Sequence, residues 1–441
     1  MPQKDKVYDL IGIGIGPFNL GMAALLEDKD EVEALFFDES PSFQWHPGML
    51  IEGADLQIPF IADLVTFADP TSRFSFLNYL HQHKRIYKFY FLNRFDIPRR
   101  EYNDYAQWVS EQLMNCRFGE RVIDVIDHSE ELSPFYEVVT ENQESKEIKS
   151  FVAKNIVLGT GSVPIVPKGL DQLPEIDILH TSNYQYLEYE LLSARSIIVT
   201  GSGQSAAEVF LDLLQKKNSS QQLYWLTRSP GFFQLEAGKL GQEVFSHDYI
   251  DYFHSLPFEK RMEEIPHLDH LRKGVEEKTF HKIYDLLYHY SIQGRDPGVV
   301  IAANMELKDI EKSGNKYEVT FTQWKEENDI SLKVDKVILA TGYRPNIPDW
   351  LEKLKDCIFW EDDKRYKVSR DYRLEFKEKR PHQIYTLTNL EHSHGAGATN
   401  LALSVGRNIA IINKIAGEQL YPEQTNTIFQ TFGLKKWHEK D

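Results

Sequence analysis

The chain has 441 residues, 41% of them hydrophobic, and a formal net charge of −17. That length predicts two or three domains, and the excess of acids excludes nucleic acid and anionic membrane as partners, because phosphate binding needs clustered Lys and Arg. Two cysteines far apart in sequence, Cys116 and Cys357, exclude a disulfide framework, a CxxC redox pair and a cysteine zinc site.

The first residues carry charges but no long apolar region, so neither a signal peptide nor a spanning helix is expected, and a reducing cytoplasm fits. The segment Tyr8–Gly21, YDLIGIGIGPFNLG, organises the rest. An apolar run ending in glycines before a helix-like stretch predicts a strand handing a dinucleotide pyrophosphate to a helix N-terminus. Gly14 permits the tight turn, Gly16 lets the backbone approach the phosphates, and Asn19 stands where a third glycine is commoner. The next strand, Ala34–Phe37, ends in Asp38, at the separation where an acid meets a ribose hydroxyl.

Phe43–Asp63 mixes turn residues with Trp45, Met49, Leu56 and Phe60, which suits a loop packed under a flat aromatic ligand. Phe74–Tyr90 and Tyr102–Met114 show helical periodicity, and Phe118–Ile148 alternates like an antiparallel excursion. Asn155–Gly161 reads as a buried strand meeting a glycine turn; Pro164 and Pro167 then mark a domain crossing. A second nucleotide pattern follows in Ser196–Ala206, with Gly201-x-Gly203-x-x-Ala206 leading into a helix. Its next strand, Leu223–Thr227, ends in Arg228, a cation suited to the 2′-phosphate of NADPH. Phe232–Ile292 is aromatic and helical, a candidate for substrate enclosure, and the chain closes with a strand in Lys336–Pro345, a strand at Ile384–Thr388 and a helix at Leu401–Ile415.

Two dinucleotide folds imply two cofactors that must meet, and FAD with NADPH is the usual pair. Disulfide reduction lacks its cysteines. Oxygen activation needs no further titratable group, so a monooxygenase is the leading reading.

The runs GIGIGPFNLG, FFDESPSFQWHPGM, LQIPFIADLVTFADPTSRFSFLNYL, GTGSVPIVP, GSGQSAAE, ATGYRP and SHGAGATNLALS resemble the N-hydroxylating flavin monooxygenases of siderophore biosynthesis, the lysine, ornithine and diamine N-hydroxylases, from Tyr8 to about Ile415. The resemblance implies an α/β fold of two Rossmann-like dinucleotide-binding domains. FAD belongs to residues 1–168 and 333–441, NADPH to 169–232 and 293–332, and a helical substrate-enclosing segment to 233–292. It also implies a homo-oligomer, dimer or tetramer, and a C4a-hydroperoxyflavin that passes one atom of molecular oxygen to a neutral primary amine. By motif position, Gly14, Gly16, Pro17, Asn19, Asp38, Trp45, His46 and Gln57 would serve FAD, Gly201, Gly203, Gln204, Ser205 and Arg228 NADPH, with Thr341 and Gly342 also at the cofactors.

The departures from that pattern concern the substrate. Amino-acid hydroxylases of the family carry a lysine where this chain has Ala62, and a serine where it has Ala402; an asparagine of the ornithine enzymes becomes Gln242. A buried carboxylate without a cation or hydroxyl partner is strongly disfavoured. A decarboxylated amine is therefore expected, putrescine or cadaverine first and histamine second. The alternative is that Lys239 or Arg272 supplies the anion partner and lysine or ornithine is the substrate. Asp63, Glu236, Glu243 and Asp248 are the candidate acids for a distal ammonium, although each such acid is more often a surface or capping residue, and His394 is expected to be structural. A Baeyer–Villiger monooxygenase is a more distant alternative, because Gly159–Tyr184, with His180 near its end, does not reproduce the phenylalanine-glycine-histidine signature of that class.

Overall fold

The structure is a computed structural model that describes residues 6–434. Its framework is two parallel sheets, each carrying one glycine turn at the end of an inner strand. The first has the order Gln383–Thr386, Asn155–Leu158, Leu10–Ile13, Ala34–Phe37, Cys116–Arg117. Leu10–Ile13 is buried on both faces, which is why it reads as a continuous apolar run rather than an alternation. Helix α1 (Pro17–Leu26) follows its glycine turn. The alternating stretch after Phe118 is an antiparallel meander of Glu120–His128, Phe135–Asn142 and Ile148–Ala153.

The second sheet runs Ile178–His180, Lys336–Leu339, Ser196–Thr200, Gln222–Leu226, Val299–Ala302, all parallel. Helix α2 (Gln204–Lys216) follows its turn. Residues 233–292 carry α3 (Lys239–Gln242), α4 (His247–His254), the helix Phe258–His267 and α5 (Glu277–Ser291). Helix α6 (Ser404–Ala416) returns to the first fold, where Asn408 Nδ2 donates to the Phe18 carbonyl of α1 at 2.9 Å. Separate apolar cores sit under the two sheets, and α4 belongs to a smaller one with Phe432.

Two expectations change. Lys336–Leu339 pairs with Ser196–Thr200, so the second sheet continues past residue 333 and the chain returns only through Tyr343–Pro345, which pairs antiparallel with Ser162–Pro164. A buried VIL run looks the same whichever sheet receives it. The helical stretch at Phe74–Tyr90 is two helices, Phe76–Gln82 and Ile86–Leu92, separated at Lys84 with φ of 57°. Among the described residues no helix is long and apolar enough to cross a membrane.

Candidate active site

In the first glycine turn, Gly14 has φ of 84°, and a Cβ there would stand 2.6 Å from the Gly159 carbonyl oxygen. Any side chain would push apart the two turns of the sheet. Around Gly16, by contrast, no atom lies within 4 Å of a would-be Cβ. Gly16 is the N-cap of α1, makes no side-chain cap, and Pro17 follows it, so the first-turn N–H groups are presented to an anion. Asn19 is buried and donates to the Gly14 carbonyl at 2.7 Å, while its Oδ1 has no partner. Asp38 accepts from Ile15 N at 2.7 Å and Ser40 N at 2.8 Å. It therefore holds the turn itself, and its remaining lone pairs are what a ribose hydroxyl would meet.

The second cradle repeats the design. Gly201 has φ of 120°, its Cβ position is 2.6 Å from the Ala340 carbonyl oxygen, and Gly203 is open. Ser205 sits in the first turn of α2 and Arg228 is exposed beyond the adjoining strand, its carbonyl held by Trp324 Nε1 at 2.9 Å. The side chain of Gln204 is engaged elsewhere: it donates to Glu208 at 3.0 Å and Thr279 at 3.2 Å, and accepts from Glu276 N at 2.9 Å. Only its backbone N–H is left for a dinucleotide. Thr341 Oγ1 donates to the Ile165 carbonyl, and the Gly342 carbonyl accepts from Ile165 N and from His180 Nε2. Those two residues build the crossover through these bonds.

An aromatic wall joins the Trp45–Met49 loop to residues that flank the second sheet. Trp45 meets His46 and Tyr102 edge-on at 5.1 and 5.2 Å, and Tyr343 meets His46 at 5.7 Å and His180 at 5.0 Å. Desolvation pushes the His46 pKa down to about 4, with the Arg99 guanidinium adding to the effect. Gln57 is exposed on the strand Asp55–Pro59 beside this wall. Arg99 forms a two-pronged pair with Glu208, both contacts 2.9 Å, and donates to the Met49 carbonyl at 3.0 Å. Arg99 belongs to no motif and Glu208 only ends the run GSGQSAAE, so it is the fold that shows they join the wall to α2.

The substrate residues do not all converge. Ala62 is buried, and Asp63 beside it accepts from Val65 N, Thr66 N, Thr66 Oγ1 and Phe76 N at 2.7–2.9 Å. Asp63 thus caps a turn and a helix start and is removed as an ammonium ligand. Glu236 accepts from Gly238 N, Gln242 donates to the Glu236 carbonyl, and Glu243 and Asp248 accept from residues 427–430. Arg272 is held by Asp269 and Glu391, so it is no free carboxylate partner; Lys239 is exposed. Ala402 borders a cavity of about 1350 Å³ together with Phe245, His247, Tyr372 and Leu403. At Gly406 a Cβ would stand 2.0 Å from His247 Nε2, so any side chain there would require the His247 ring to move. Arg407 is fully buried and donates to the Ala398 carbonyl at 2.9 Å, bracing the turn before Ala402.

His394 is fully buried, stacked on Tyr372 at 4.3 Å and bonded to Ser393 Oγ at 2.8 Å. Burial pushes its pKa well below the usual value and also lowers those of His392 and His180. An imidazole kept neutral when folded but protonated when unfolded destabilises the fold as pH falls through the unfolded value of about 6.5, by about 1.4 kcal/mol per unit of separation. The melting temperature is therefore expected to be flat above pH 7 and to drop by at least roughly 5 °C by pH 5; a calorimetric scan across that range measures it, and His394→Asn should flatten the slope.

The geometry agrees with comparisons to known proteins. The sequence model of L-lysine 6-monooxygenase/L-ornithine 5-monooxygenase matches residues 6–345. The chain is 40% identical over 437 residues to the putrescine N-hydroxylase of Shewanella oneidensis, covering 98% of this chain and 86% of that one. The cadaverine monooxygenase of the desferrioxamine pathway of Erwinia amylovora, solved with FAD, superposes with a TM-score of 0.91 at 38% identity, covering 97% of this chain and 99% of that one. The ornithine N-hydroxylase of Kutzneria sp. 744, solved with reduced FAD, NADP+ and L-ornithine, gives 0.85 at 26% identity, covering 93% and 99%. Two glycine cradles facing one aromatic wall, and this matched length, place the chain in the L-lysine 6-monooxygenase/L-ornithine 5-monooxygenase family of flavin-dependent N-hydroxylating monooxygenases.

Proposed function

We propose that the chain hydroxylates one nitrogen of a diamine, putrescine or cadaverine, for hydroxamate siderophore synthesis, as a cytoplasmic homo-oligomer. FAD belongs in the cradle of Gly14, Gly16 and α1, NADPH in that of Gly201, Gly203 and α2. Once reduced by NADPH, bound FAD supplies one atom of O2 to nitrogen, and the other leaves as water.

The protein's own part is placement. The N-termini of α1 and α2 take the pyrophosphates, Asp38 offers lone pairs to a ribose, and Arg228 offers its fork to the 2′-phosphate. Trp45, His46 and Tyr343 wall the meeting point and exclude water, with His46 uncharged near neutral pH. The reacting nitrogen must be an unprotonated amine, and Asp63, Glu243 and Asp248 are all engaged by backbone donors rather than poised as bases.

One observation carries the substrate: alanine stands at both anchor positions, Ala62 and Ala402, and Arg272 is committed to two acids. The cations that line the cavity of Ala402, Arg370, Arg373 and Lys414, are paired with Asp251 and Asp371, so a substrate carboxylate would have to displace an acid to gain a partner, and diamines should exceed lysine and ornithine in kcat/KM by at least roughly 100-fold. Hydroxylamine formation by the FAD-loaded enzyme with putrescine, cadaverine, histamine, lysine and ornithine measures this. Faster turnover of lysine or ornithine than of either diamine overturns it.

A further inference from the structure

The sequence from Tyr421 to Phe432 lies outside every motif, yet part of it lines the cavity that Ala402 borders. At one end Tyr421 donates through its hydroxyl to the Leu25 carbonyl of α1, at 2.7 Å, and exchanges backbone bonds with the Asn413 side chain on α6. At the other, Thr427 N and Oγ1 both donate to Asp248 Oδ2, at 3.0 and 2.8 Å, while Phe429 N and Gln430 N donate to the two oxygens of Glu243, at 3.1 and 2.9 Å. Phe432 then packs on Tyr249 and Tyr252, with centroids 4.8 and 6.1 Å apart. Between these anchors, Glu423–Thr425, Thr427 and Ile428 line the cavity that reaches Phe245 and Ala402.

We infer that this C-terminal strap is a wall of the amine site, with Glu243 and Asp248 as the positioning residues that fasten it. The inference deepens the reading above and rests on Ala402 facing the amine. Its physical ground is the kind of bond used. Two carboxylates each collect two donors from an extended segment, and charge-assisted bonds of this type are about twice as strong as neutral ones. They tie the segment of Gln242 and Phe245 to α1 and α6, elements that otherwise belong to the first fold. Without the strap, α3 and α4 lose that tether and the cavity opens to water. Open water at the site favours reduced cofactor reacting with oxygen unproductively over transfer to nitrogen.

The test compares the intact chain with one ending after Glu423 and with the pair Glu243→Gln, Asp248→Asn, all FAD-loaded. The amine is whichever of the five above the intact enzyme turns over fastest, so the diamine reading can fail while this one is still decided. Expected are an amine KM raised at least tenfold and a fall in hydroxylamine formed per NADPH consumed, with NADPH KM within twofold and FAD content unchanged. A structural role alone would lower melting temperature and FAD content together and leave that ratio intact. Where the shortened chain does not retain FAD, the double substitution decides on the same readouts. Amine KM and coupling within twofold of the intact enzyme, in any FAD-retaining variant, overturn the inference.

Discussion

Gly48→Ala is expected to leave FAD bound and to cut NADPH-dependent reduction of the flavin by at least roughly 100-fold, the cost of misplacing a reacting pair by about 1 Å. A Cβ at Gly48 would stand 1.8 Å from the Ser182 carbonyl oxygen and 2.6 Å from its carbon. Both are backbone atoms of Thr181–Tyr186, which is anchored through Tyr184, fully buried and bonded to Asp212 at 2.6 Å. The neighbour cannot give, so the loop Trp45–Met49 must lift. That loop carries the aromatic wall and accepts from Arg99 through the Met49 carbonyl, so its displacement changes how the two folds face each other without touching either glycine turn. Stopped-flow reduction under anaerobic conditions, beside FAD content and melting temperature, separates this from general unfolding. A reduction rate within threefold of the parent would show that the contact tolerates a methyl group and that the wall does not set the geometry.

The position of Gly48 also shows where reading the sequence stops. Gly14, Gly16, Gly201 and Gly203 announce themselves because a phosphate cradle demands fixed spacing and the demand is local. Gly48 serves a contact 134 positions away in the chain, and a WHPGM run looks the same whether or not Ser182 lies against it. The strands around the cradles were legible for a similar reason: a run buried on both faces, such as Leu10–Ile13 or Ser196–Thr200, is apolar throughout. Which sheet receives such a run was not legible, hence the misplaced boundary at 333. For the acids the sequence offers two readings, cation ligand or cap, and Asp63, Glu243 and Asp248 take the second: they collect backbone N–H groups, a partner every segment carries and no side-chain pattern reveals. Gln204 shows the same thing inside the second motif, where its amide bonds Thr279 and the backbone of Glu276 at the start of α5.

The other large effect is expected at Arg99 and Glu208. This pair is the main buried ion pair joining the aromatic wall to α2, with side chains 13% and 5% exposed. Removing one partner leaves the other charge without its counter-ion in a place water scarcely reaches, at a cost of about 3–5 kcal/mol. The two single variants should not be equal. Glu208→Ala leaves Arg99 with only the Met49 carbonyl, whereas Arg99→Ala leaves Glu208 still bonded to Gln204 Nε2 at 3.0 Å. The first should therefore be the more destabilising. The double variant should be less destabilised than the sum of the two by about 2 kcal/mol or more, because no charge is then stranded. Urea or thermal unfolding of the four proteins closes the cycle, and anaerobic reduction by NADPH on the same four shows whether the pair also sets hydride distance. If the pair does position α2, the double variant recovers stability relative to Glu208→Ala and still reduces its flavin slowly. Additive losses in stability together with normal reduction would mean that Arg99 and Glu208 are independent surface-like charges, and that the two nucleotide folds are held in register by the aromatic contacts alone.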